Sequence, residues 1–326
     1  MKFEELLTNL SKEIKPVYMI NGGDSYVTNL ALDQIKNSLN ITLKDFNIVT
    51  YGDDYSKNMA SIVESCQALP LIDNKRLIIV NDFICKKNEV EKKTILKYLS
   101  SPCLSTCLVF FSTNKSEFFS SFEDKVESIN CQDVSLNYIF IWLNKKLEKL
   151  GLITTTEIKN QLIDYCNGSL AKLNVETDKL YTIKINQQNK EISQYDIENY
   201  ITKDLEYVIF DLTNAICELN NDKVYLLIDN MIKNKEQPVS IISMISSHFR
   251  RLFFISRSEF GDRELGEYLG LKEYAIRKYR QQLKNFSQKQ LKNIYDKCLE
   301  VEFFIKSGKM EAKNGLSYLV SSILLK

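Results

Sequence analysis

The chain is nearly devoid of histidine, with His248 the single one in 326 residues. A zinc site would have to be built without the usual imidazoles, and the eight cysteines (66, 85, 103, 107, 131, 166, 217 and 298) contain no CxxC pair. The sequence therefore predicts no metal centre, and reduced, mostly buried thiols in a cytosolic protein rather than a disulfide framework. Charge of one sign is missing too. Lys plus Arg number 43 against 42 Asp plus Glu, so no global field draws the chain onto nucleic acid or an anionic membrane. No apolar run approaches the roughly 20 residues that span a bilayer. The opening MKFEELLTNLSKEIK is charged and lacks the apolar core of a signal peptide. Proline (4) and glycine (10) are scarce, and 44% of residues are hydrophobic, which excludes a disordered chain and favours folded, largely helical domains.

What is present falls into two regimes. Up to about residue 135, short β-rich runs alternate with amphipathic segments, the pattern of βαβ units around a parallel sheet. Strands are expected at Val17–Asn21, Asn47–Tyr51, Arg76–Val80, Cys107–Ser112 and, more weakly, Val126–Cys131. Helices are expected near Tyr26–Leu39, Lys57–Ala68, Val90–Leu99 and Glu117–Phe122. From Leu136 only helical periodicity remains. IFIWLNKKLEKLG ends at a capping Gly151, a second helix follows Thr155 or Thr156, and Cys166-Asn167-Gly168 turns the chain into a segment with Leu170, Leu173, Val175 and Leu180 largely on one side. After about Asp204, Pro238 opens a long helix, Ser287 and Gln290 form a capping box for another that ends at Gly308, and a last apolar helix runs from about Lys313 to Leu325. The expected domains are residues 1–135, 136–203 and 204–326.

Candidate chemistry is sparse. PVYMIN leads into Gly22-Gly23-Asp24-Ser25-Tyr26 and a helix, where a nucleotide-binding α/β protein carries its phosphate loop. A working loop needs a Lys for the phosphate charge, which is missing here, and Asp24 would repel phosphate, so a tight turn is expected in place of an ATP site. Asp53 and Asp54 follow the second strand and are read as capping or solvated acids rather than a magnesium or ribose site. No GxSxG elbow occurs, and His248 lies beside Arg250 and Arg251 without a nucleophile in sequence, so no catalytic residues are expected. In SCQALPLIDNKR, Pro70 should break a helix, and Leu71 and Ile72 precede the polar stop Asp73-Asn74-Lys75. Such a pair is either core or, if the turn projects, an exposed apolar anchor for a partner. Six of the seven arginines (250, 251, 257, 263, 277 and 280) crowd one late stretch. There RELGEYLGLKEYAIRKYRQQLKNF has a helix-turn-helix pattern, with Leu265, Leu269, Ile276 and Tyr279 inward and Lys272, Arg277, Lys278 and Arg280 outward. A DNA-binding regulator is the alternative this pattern raises.

Taken in order, PVYMINGGDSYV, CQALPLIDNKRLIIV, WLNKKLEKLGL, CNGSLAKLNVETDKL, FDLTNAI and PVSIISMISSHFRRLFF resemble the delta subunits of bacterial DNA polymerase III over nearly the full length. The resemblance implies an AAA+-like α/β domain without a working phosphate loop, a small helical lid and an all-α collar that joins other loader subunits. It implies a non-catalytic member of a clamp loader that needs no cofactor of its own. Its partners would be the beta sliding clamp, the gamma/tau ATPase and delta-prime subunits, and primer-template DNA, with no membrane involved. The clamp would be held by Leu69, Pro70, Leu71 and Ile72, Ile72 standing where the family often has Phe. Arg250, Arg251, Arg277, Lys278 and Arg280 become candidates for contact with DNA or a neighbouring subunit.

Overall fold

The structure, a computed structural model, describes residues 1–22, 24–52, 59–81, 89–112, 125–132, 134–187, 189–271 and 273–324. It forms two compact units, residues 1–139 and 140–326. The division falls inside the helix Leu136–Leu150.

In the first unit five parallel strands, β1 (Val17–Asn21), β2 (Ile48–Tyr51), β3 (Arg76–Asn81), β4 (Thr106–Ser112) and β5 (Glu127–Asn130), lie in the order β2-β3-β4-β1-β5. The inner strands β1, β3 and β4 are almost continuously apolar because both faces of a parallel sheet are covered. On one face Val17 and Met19, Ile78 and Val80, and Leu108 and Phe110 pack with Met59, Ile62 and Cys66 of α4 (Met59–Gln67) and Ile95, Tyr98 and Leu99 of α5 (Glu89–Ser100). Between β1 and β2 come α2 (Ser25–Ser38), which buries Val27, Ala31, Leu32 and Ile35 at helical spacing, and the four-residue α3 (Lys44–Asn47). A short α1 (Leu6–Leu10) precedes the sheet. Helices α1 and α3 are too short to show periodicity, and α3 takes Asn47 from the strand expected to begin there. The helix expected at Glu117–Phe122 lies outside the described residues, as do Asp53 and Asp54.

The second unit is helical: α6 (Leu136–Leu150), α7 (Thr156–Tyr165), α8 (Leu170–Lys184), α9 (Gln194–Tyr200), α10 (Leu205–Cys217), α11 (Asn221–Lys233), α12 (Pro238–Arg257), α13 (Asp262–Leu269), α14 (Glu273–Leu283), α15 (Gln288–Lys306) and α16 (Ala312–Leu324). The punctuation follows local chemistry. Gly151, Gly168 and Gly308 adopt the left-handed conformation past helix ends, Thr155 caps α7, Pro238 is the first residue of α12, and Ser287 and Gln290 form the capping box of α15. One expectation fails. Val175 is exposed, because at 3.6 residues per turn it lies roughly half a turn from the stripe Leu170, Leu173, Thr177 and Leu180 that α8 buries. The early and late helices of this unit meet around residue 204. The Asp204 N–H donates to the Tyr165 carbonyl (2.8 Å), its carboxylate pairs with Lys172, and the Asn167 amide donates to Glu206 (2.6 Å).

Helix α12 runs through the core of the late helices and buries Ile241, Ile242, Ile245, Phe249, Leu252 and Ile255. His248 is buried beside them, against the rings of Phe210 and Tyr279, which also touch each other. Its Nε2 lies 2.7 Å from Gln282 Oε1, while Gln282 Nε2 donates to Thr213 Oγ1 (2.7 Å) and Asn214 Oδ1 (2.8 Å). This pattern assigns the proton to Nε2 and leaves a buried, unpaired Nδ1. Burial, which the Gln282 bond only partly offsets, pushes His248 from 6.5 down to about 4. The Thr213 hydroxyl also lies 3.2 Å from Nε2, but it is buried and donates to the Ile209 carbonyl of its own helix (2.8 Å), so His248 is a core residue. Folding keeps the ring neutral while the unfolded chain protonates it near 6.5, so stability is lost as pH falls from 6.5 to about 4. Denaturant titrations should show a loss of about 3 kcal/mol at most from this group. A His248→Gln chain should show a correspondingly flatter slope over that window; an unchanged slope would contradict the assignment.

Candidate functional site

Ligands of open α/β sheets bind beyond the carboxyl ends of the strands, where the strand order reverses. Here that point is the end of β1, between β4 and β5. Gly22 is required there, because a Cβ would come within 2.5 Å of Cys131 Cβ and 2.8 Å of Thr28 Cγ2. Gly23 lies outside the described residues. Asp24 is the N-cap of α2, and its Oδ1 accepts the Tyr26 N–H at 2.9 Å. Thr28 turns its hydroxyl back to the carbonyls of Ser25 (3.0 Å) and Asp24 (3.3 Å). A phosphate loop leaves first-turn amides free for the ligand. In this chain a carboxylate already accepts one of them and places its negative charge at the positive end of the helix dipole. Among the described residues no cluster of His, Cys, Asp or Glu could hold a metal ion.

The second site lies at the other end of the unit's chemistry, in the turn between α4 and β3. Leu69 precedes Pro70, which disfavours helical backbone at that residue, and α4 has already stopped at Gln67. The next residues face water. Leu69 is 81% exposed, Leu71 49% and Ile72 85%. Ile72 sits at φ +65°, a left-handed conformation that costs a residue other than Gly on the order of 1–3 kcal/mol. The Asp73 N–H reaches the Leu71 carbonyl at 2.7 Å, closing a three-residue turn with Ile72 at its centre, the rare and strained form of the γ-turn.

What holds this turn comes from the segment Thr42–Asn47, about 30 residues earlier. One carboxylate oxygen of Asp73 accepts the Thr42 N–H (3.0 Å) and hydroxyl (2.5 Å), and the other accepts the Leu43 N–H (3.0 Å) and the Asn47 amide (2.7 Å). Asn47, buried at 1% exposure, also bonds the backbone on both sides of the Leu71 Cα. Its Nδ2 donates to the Leu71 carbonyl (2.9 Å) and its Oδ1 accepts the Leu71 N–H (2.8 Å). These bonds, led by the Thr42 hydroxyl, hold the Asp73 carboxyl well below the usual carboxylate range, so it is ionised at any neutral pH. Phe46, the residue before Asn47, is 63% exposed.

The late arginine stretch is occupied largely by its own acids. Arg277 pairs with Glu273 and lies 3.8 Å from Asp262, Arg280 bonds Asp262 (2.5 Å) and the Phe260 carbonyl (2.7 Å), and Lys278 bonds Asp164 (3.0 Å) over the ring of Tyr274. Arg251 reaches Glu206 (3.4 Å) and the Tyr279 hydroxyl (3.2 Å). Arg250 is exposed and joins no ion pair among the described residues. Lys272 lies outside them. Leu265, Ile276 and Tyr279 are buried and Leu269 packs half-buried on the same core, so the helix-turn-helix pattern reflects ordinary packing of α13 and α14.

Two family profiles match the chain: "DNA polymerase III, delta subunit" over residues 18–132 and "DNA polymerase III delta subunit, C-terminal domain" over residues 206–323. Together they span more than half of it. The DNA polymerase III subunit delta of Bacillus subtilis (strain 168) is 21% identical over 333 residues, covering 96% of this chain and 94% of the relative. The probable DNA polymerase III subunit delta of Aquifex aeolicus (strain VF5) is 21% identical over 306 residues, covering 89% and 86%. Among solved structures, the Bacillus subtilis DNA clamp loader delta protein superposes with a TM-score of 0.70 at 19% identity, covering 99% of this chain and all of the other, a likeness of fold. These matches give the DNA-binding regulator no support. The occupied amide at Asp24 leads to a direct expectation: calorimetric titration of the isolated chain with Mg-ATP should give no saturable heat. Saturable binding that is lost on changing Ser25 would contradict it.

Proposed function

The chain belongs to the DNA polymerase III delta subunit family, and from that premise we propose that it is the clamp-opening subunit of a clamp loader. It binds the beta sliding clamp through Leu69, Pro70, Leu71 and Ile72 and opens the ring for loading onto primer-template DNA. The observation that carries this reading is the projecting turn, whose two central apolar side chains face water within the segment that the family profile matches. An isolated apolar pair held out on a strained turn has no packing purpose within its own unit.

The energetics fix the kind of mechanism. Burying each side chain in a clamp pocket contributes roughly 1.5–3 kcal/mol. That is too little to pull a ring apart by force, so the pair biases a clamp interface that already samples open and closed states. The chain itself carries out no chemistry. ATP hydrolysis belongs to the gamma/tau subunits, which together with delta-prime decide when the turn is uncovered. Residues 136–203 act as the lid and residues 204–326 as the collar through which the subunits assemble in the cytoplasm. Arg250, exposed and without an ion pair among the described residues, is the best placed of the basic candidates for DNA or subunit contact, whereas Arg251, Arg277, Lys278 and Arg280 would first have to exchange partners.

Capture of purified clamp by the wild-type chain and by a Leu71→Ala, Ile72→Ala double variant tests the reading. The double variant should bind on the order of a hundredfold more weakly or worse. Its thermal unfolding should be unchanged, since both side chains are exposed. Equal capture by the two chains would rule out the turn as the clamp-binding element.

A further inference from the structure

The side chains that would meet the clamp do not hold themselves in place. Ile72 is β-branched and sits in a backbone region that such residues avoid, so a free peptide of this sequence would abandon the turn. Nothing apolar in the turn offsets that cost, because Leu69, Leu71 and Ile72 are all exposed. What remains is polar and comes from elsewhere in the chain: the four hydrogen bonds onto Asp73 and the two between Asn47 and the Leu71 peptide.

We propose that Asp73 and Asn47 are positioning residues of the clamp-binding element, stapling the turn to the Thr42–Asn47 segment so that Leu71 and Ile72 meet the clamp as a pre-formed wedge. This rests on the clamp-binding reading above and assigns no clamp contact to either residue. Asn47 is suited to the task because one buried amide satisfies both the N–H and the C=O of Leu71, which belong to the two peptide groups on either side of its Cα, a pairing that restrains the backbone torsions of Leu71 and not just its position. Asp73 is suited because an ionised carboxylate accepts from several donors at once and makes stronger bonds than a neutral group. Its ionised form is the one held here, so the staple persists across all neutral pH values.

The two residues can be separated from the side chains they position by kinetics. Removing a contact side chain mainly speeds dissociation. Loosening the turn instead lowers the fraction of chains ready to bind and so slows association. If that fraction falls to about one tenth, the apparent Kd rises about tenfold. The experiment uses the full chain and the purified clamp, with surface-based kinetics on wild type, Asp73→Asn, Thr42→Val, Asn47→Ala and the Leu71→Ala, Ile72→Ala double variant. Hydrogen exchange at the amides of Leu71 and Asp73 is followed in parallel.

Asp73→Asn should exchange faster at both amides and associate about tenfold more slowly, with dissociation little changed, and Thr42→Val should show the same in smaller measure. Asn47 is buried and its Ala variant risks the fold, so the decision rests on the other two. Faster exchange with wild-type association, or no change in exchange at all, would overturn the positioning role. If the double variant loses the clamp while the Asp73 and Thr42 variants bind normally, only this inference fails. If the double variant binds normally, the clamp-binding reading fails and takes the inference with it.

Discussion

The shape of the turn proposed to meet the clamp depends on the carboxylate of Asp73. It is a single ionised group that gathers two backbone amides, a hydroxyl and a side-chain amide from one segment and so fixes the backbone of another. Without it, a proline-broken helix end would be followed by a few apolar residues with no defined shape. With it, the same residues form a turn whose centre, Ile72, is held against its own conformational preference. Strain at a site of contact is tolerated only where the surroundings over-determine the backbone, and the bonds from Thr42, Leu43 and Asn47 do that here. A binding element that is rigid before it meets its partner loses less entropy on binding. That matters for the proposed contact, in which only two side chains supply the attraction.

The other end of the α/β unit shows the complementary change. The scaffold keeps the parallel sheet, the glycine that lets β1 pass close to Cys131, and the helix that follows. What differs is who occupies the helix N-terminus. Asp24 takes an amide that a phosphate would need and contributes a charge of the same sign as phosphate. In a fold often used to bind nucleotide, one amide at this position is thus occupied by the chain's own side chain.

Much of the fold could be read from the sequence, because parallel strands covered on both faces write themselves as unbroken apolar runs. The expected limits of β1 are the observed ones and those of β3 and β4 lie within a residue, while the helix ends marked by Thr155, Pro238, Ser287 and Gly308 follow from local chemistry alone. What could not be read depends on partners distant in sequence. Asp73 looks like a polar stop and Asn47 like the first residue of a strand until the chain is folded and they lie side by side. The arginine stretch misleads for the same reason. Much of its positive charge is paired once Asp164, Glu206 and Asp262 are brought against Lys278, Arg251 and Arg280. Val175 shows the remaining failure, since an apolar residue on a helix need not belong to the buried stripe.

The most direct test of whether this turn is what meets the clamp is to place a photo-activated cross-linker at position 72 of the full chain and, as a control, at Phe303, an equally apolar residue 60% exposed in the other unit. Irradiation with the clamp should give one adduct from position 72, mapping to a single apolar pocket, and none from position 303. Adducts from both positions alike, or from 303 alone, would contradict the placement of clamp binding at the stapled turn.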